Sequence, residues 1–133
     1  MPVDPSLVGR EFPAPAPLVV TAERVSAFAA AVGQPDDGAV PPTFPIVLAF
    51  DAMNAFLEAE RIDLFRIVHG EQKFAYERPL SEGDELSAVL VVTGLRQIGG
   101  ADIIATASEI RDASGALVCT GKATLVHSAG AAA

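Results

Sequence analysis

Between Phe44 and about Glu60 the chain carries apolar residues almost all the way round a helical wheel, which limits the fold more than any other stretch. Its strongly polar members, Asp51, Asn54, Glu58 and Arg61 just beyond, recur at spacings of three, four and three and so share one narrow stripe. A helix patterned this way must be enclosed on most sides. It would run roughly 25 Å at 1.5 Å per residue, with Pro45 in its first turn, where no intrahelical donor is lost. The rest of a 133-residue chain has to supply the enclosure, and that length suits one domain around one core.

The C-terminal half has the texture for it. The runs "RIVHGEQKFAYERPL", "ELSAVLVVTGLRQI", "DIIATASEIR" and "ALVCTGKATLVH" are rich in branched residues and separated by the turn signals "SEGD", "GGA" and "DASG". In the first run Gln72, Phe74 and Tyr76 alternate with Glu71 and Lys73, giving one apolar and one wet face. In contrast, "LSAVLVV" is apolar at both parities and needs cover on both sides. The expectation is an α+β domain, an antiparallel sheet wrapped around a long central helix, with a neighbouring subunit over its remaining apolar face. Thr21 is placed to cap a first helix whose apolar stripe is Val25, Phe28, Ala29 and Val32 and which stops at Gly33. Residues 1–17 hold half of the ten prolines and read as an extended arm. Residues 18–127 read as the folded domain, opening with a short edge strand in "LVV", and 128–133 as a frayed tail.

Several function classes are disfavoured. Seventeen acids against nine bases give a formal charge of −8, which repels a nucleic-acid backbone. No apolar run is long enough for a bilayer and the N-terminus lacks a signal-peptide pattern, so a soluble cytoplasmic protein without membrane partners is expected. With His69 and His127 the only histidines and no cysteine cluster, neither a metal site nor a cofactor is expected. Gly99-Gly100 reads as a hairpin turn, not a phosphate cradle, and the lone Cys119 as a small buried side chain.

The phrases "VGRxFP", "VPPTFPIVL", "VHGEQKFAYERPLSEGDEL" and a late "TLV" resemble the MaoC-like dehydratase and hydratase 2 family. Within it the likeness, from Val8 to Val126, is to the non-catalytic N-terminal-type half, the FAS1-like dehydratase subunit of actinobacterial (3R)-hydroxyacyl-thioester dehydratases. The resemblance implies a single hot-dog fold that handles acyl thioesters of coenzyme A or acyl carrier protein beside a catalytic hot-dog partner subunit. Reversible hydration of an enoyl thioester needs a base for water, an acid for Cα and donors for the thioester oxygen. The family's catalytic half supplies the proton carriers from a loop reading Gly-Asp-x-Asn-Pro-x-His. Laid on that pattern from Gly33, this chain has Gln34 at the Asp position, Asp36 at the Asn, Asp37 at the Pro and Ala39 at the His. No catalytic residue is therefore expected in the loop. The segment that overhangs the acyl tunnel in related subunits is reduced to Ala39 and Val40 before "PPTF".

By the same resemblance Pro42, Thr43 and Phe44 should border the thioester, whose oxygen would meet free N–H groups at the start of the central helix. Thr43 equally suits a helix cap. His69 and Gly70 are candidates for thioester or partner contact, while a structural histidine is the competing reading. Strict alternation puts His69 with Glu71 and Gln72 with Phe74 on the opposite face, leaving Gln72 to find a buried partner unless a bulge at Gly70 shifts the register. His127 is given no role. Three functions follow: an acyl-thioester-binding non-catalytic subunit of a dehydratase/hydratase, a self-sufficient homodimeric enzyme of altered chemistry using Asp36 or Asp37 with His69, and a small-ligand-binding hot-dog without catalysis.

Overall fold

The computed structural model describes residues 5–35 and 39–128. Asp36 and Asp37, and the tail beyond Ser128, lie outside these. The described chain forms a six-stranded antiparallel sheet with one long helix and one shorter helix, the hot-dog arrangement expected from the sequence. The strands are β1 (Glu11–Pro13), β2 (Leu18–Val19), β3 (Ile67–Tyr76), β4 (Glu85–Ile98), β5 (Ala101–Arg111) and β6 (Leu117–Ser128). Their order is β1-β4-β5-β6-β3, with β2 also on β4. Among the described residues the ten-residue β3 is thus an outer strand with one side unpaired.

From residue 5 on, the N-terminal segment read as an arm packs onto this body. β1 pairs with β4, opposing Phe12 to Leu90, and both Leu7 and Phe12 are buried in the core. The first helix, α1 (Ala22–Val32), has the expected ends. Thr21 Oγ1 accepts from the Arg24 N–H at 3.1 Å, and Gly33 closes the helix in the left-handed region at φ 72°.

The central helix, α2, spans Ile46–Ala59, shorter at both ends than expected. Residues 41–45 form tight turns before it, in which Phe44 N–H donates to Pro41 O and Ile46 N–H to Thr43 O. Pro45 occupies the N-cap and Thr43 provides no cap. The helix lies in the curl of the sheet, burying Leu48, Ala49, Ala52, Met53, Phe56 and Leu57. Opposite it, alternate residues of β5 (Asp102, Ile104, Thr106, Ser108, Ile110) face inward and are buried, as strand geometry requires. Among the described residues no helix is long and apolar enough to cross a membrane.

Candidate functional site

The register of β3 against β6 shifts between His69 and Glu71. Gly70 is the surplus residue, so His69 and Gln72 both fall on the inner face, opposite Leu125 and Ala123. Strict alternation had separated them. The bulge also answers what Gln72 pairs with: its Oε1 lies 2.9 Å from His69 Nε2. The room for this arrangement comes from β6, where Gly121 has no side chain. A Cβ there would stand 3.1 Å from the Phe74 ring and 3.2 Å from Gln72 Nε2.

Two spaces meet at the pair. An open groove of about 410 Å³ is bounded by Phe28 and Val32 of α1, Thr43 and Ile46 at the entrance to α2, and β3 from His69 to Phe74. Behind it, under α2, a cavity of about 10 Å³, room for about one water, touches Met53, Thr106, Ser108 and Gly121 as well as His69 and Gln72. The helical side of the groove is apolar apart from Thr43, and the β3 side carries the His69 imidazole, the Glu71 carboxylate and the Gln72 amide beside Phe74, the pattern of a small-molecule site for an amphipathic ligand.

Of the six expected binding residues, the groove gathers Thr43, His69, Gly70 and Gln72. Pro42 belongs to a neighbouring hollow of about 340 Å³ with Val40, Tyr76, Arg78 and Leu80. The Phe44 side chain is elsewhere. It is buried in the core, edge-on to Phe28 with ring centroids 5.5 Å apart. The expected free N–H groups at the helix entrance are also partly spent, since those of Ile46 and Val47 donate to Thr43 O and Phe44 O.

Gln34 and Ala39 are both exposed on the connection between the helices. An amide and a methyl carry no proton in the range where hydration chemistry runs. The residues the sequence reading passed over are Tyr76, Thr106 and Ser108. The Tyr76 hydroxyl donates to the Pro42 carbonyl, fastening the entrance of α2 to β3. Burial, with the nearby Cys119 adding to it, pushes the phenol up to about 12, so it stays a donor. Thr106 and Ser108 had a sequence signal: in "DIIATASEI" they join Asp102 as polar residues on the parity that also carries Ile104 and Ile110.

A family model, the FAS1-like dehydratase domain region, matches residues 36–121. The chain belongs to the FAS1-like dehydratase family. Among the relatives of this family member is a UPF0336 protein of Clavibacter michiganensis, 43% identical over 95% of this chain and 96% of its own length. Another, from Saccharopolyspora erythraea, is 36% identical over 95% of this chain and 92% of its own. In three dimensions the FAS1-like chain is similar to the C-terminally truncated HadBC (3R-hydroxyacyl-ACP dehydratase) complex of Mycobacterium tuberculosis. The match has a TM-score of 0.79, 26% identity, and coverage of 90% of this chain and 96% of that one.

Proposed function

We propose that this chain is an acyl-thioester-binding, non-catalytic subunit of a (3R)-hydroxyacyl-thioester dehydratase or enoyl hydratase. The observation that carries the reading is the pairing of a formed amphipathic groove with a loop that holds Gln34 and Ala39 where the family's catalytic half has Asp and His. Acyl chain and thioester lie along the groove, and the proton carriers come from a second, catalytic hot-dog. The unpaired side of β3 suits that partner. It offers a row of backbone donors and acceptors, flanked by Phe65, which is 96% exposed, and Val68, which is 62% exposed. The likeness to a chain of a 3R-hydroxyacyl-ACP dehydratase complex supports both the substrate class and the need for a partner.

Assay of the purified chain with crotonyl-coenzyme A tests this. Alone it gives no hydration above background, and adding a hot-dog subunit with an intact Gly-Asp-x-Asn-Pro-x-His loop gives turnover. Full activity from the chain alone refutes it. One observation favours a second reading, a self-sufficient homodimer, namely that His69 is a titratable group already inside the groove. Turnover by the chain alone that is abolished in a folded His69→Ala variant would decide for the homodimer.

A further inference from the structure

The Gly70 bulge turns an imidazole into the groove with one ring nitrogen engaged. His69 Nε2 is 2.9 Å from Gln72 Oε1, and Gln72 Nε2 makes a long hydrogen bond, 3.4 Å, to the Lys73 carbonyl. That orientation presents the amide oxygen, which can only accept, to the ring. Nε2 therefore carries the proton. In the neutral ring Nδ1 is then a bare acceptor, and among the described residues it has no hydrogen bond of its own. His69 stands where the outer groove meets the inner cavity, across from Phe28 and Ile46, so a chain lying against the apolar wall passes the imidazole.

We infer that His69, held in the Nε2–H tautomer by Gln72, reads a hydroxyl on the ligand: its Nδ1 accepts the O–H of a 3-hydroxyacyl chain and thereby favours it over the same chain without the hydroxyl. The inference rests on the thioester reading above and narrows its substrate class. An acceptor placed for a substrate O–H favours the hydroxylated chain over an analogue that lacks the group by the worth of that hydrogen bond. His69 is accordingly the specificity-determining residue and Gln72 a positioning residue that acts through it.

Two measurements on the full chain test this. The ring-nitrogen NMR signals of His69 should report the Nε2–H tautomer without ligand, and Gln72→Leu should shift them toward a mixture. Calorimetric titration should show 3-hydroxybutyryl-coenzyme A binding about tenfold more tightly than butyryl-coenzyme A, the worth of one well-placed hydrogen bond. His69→Phe should abolish that preference, and Gln72→Leu should reduce it. An Nδ1–H tautomer, equal wild-type affinity for the two thioesters, or a preference that survives His69→Phe overturns the inference and leaves thioester binding standing. Failure of the wild type to bind either thioester overturns the thioester reading and this inference with it.

Discussion

Cys119 is fully buried, and the cost of placing a thiolate there pushes its pKa up to about 11. In the folded protein it should react with a thiol reagent such as iodoacetamide far more slowly than in denaturant, and equal rates would contradict the burial. The sequence revealed this residue because a single cysteine amid strand residues has few other fates. His127 was a different matter. Its Nδ1 lies 3.1 Å from Asp102 Oδ2, both side chains are buried, and Gln97 donates to the other carboxylate oxygen. The partners come from β4, β5 and β6, and no local pattern announces an acid 25 positions away. Replacing His127 with Ala removes a buried hydrogen bond to a carboxylate and should cost about 2 kcal/mol in chemical denaturation, with the groove untouched.

At the level of elements, the capped first helix was legible since Thr21 and Gly33 act within a few residues of themselves. The start of α2 was not, because whether Thr43 or Pro45 begins the helix depends on how the 41–45 turns dock against β3 through Tyr76. The two glycines behind the site make a paired prediction. A Cβ at Gly70 would meet nothing closer than Thr124 O at 3.5 Å, an ordinary contact. Gly70→Ala should therefore keep the bulge and change stability by less than about 1 kcal/mol. Gly121→Ala presses on Phe74 and Gln72 and should cost about 1 to 3 kcal/mol of overpacking while disturbing the His69–Gln72 contact. Melting curves and the His69 ring signals check both. The reverse ranking would mean that the bulge depends on the missing Gly70 side chain.

For the molecule as a whole, the hot-dog wrap followed from one enclosed helix and long patterned strands, whereas the groove needed a register shift that period-two reading cannot locate. One ion cluster joins distant parts of the sheet. Arg78, beyond the end of β3, bonds Asp84 before β4 at 2.9 Å and Asp112 after β5 at 3.2 Å. The Ser114 hydroxyl and then Arg78 hold Asp112 at about 2, and Arg78 lowers Asp84 as well. Both carboxylates are thus depressed in the folded state. Their contribution is full above the unfolded value near pH 4 and is lost as pH falls toward about 2. The melting temperature should drop more steeply across that window in the wild type than in Arg78→Gln, and parallel curves would count against the cluster. The exposed Phe65 and Val68 beside the unpaired side of β3 predict self-association of the isolated chain that a catalytic hot-dog partner suppresses, measurable by light scattering.

The surplus residue in β3 has one more consequence. In a regular strand, removing one amino acid turns everything beyond it inside out, sending core groups to water and charges to the core. At Gly70 the shift is already absorbed, so excising that glycine leaves His69 and Gln72 two apart and still facing α2, with the pairings on either side intact. The edge of this sheet therefore contains a seam at which chain length can change by one codon without inverting the fold, and lineages can retune the groove there at little structural risk.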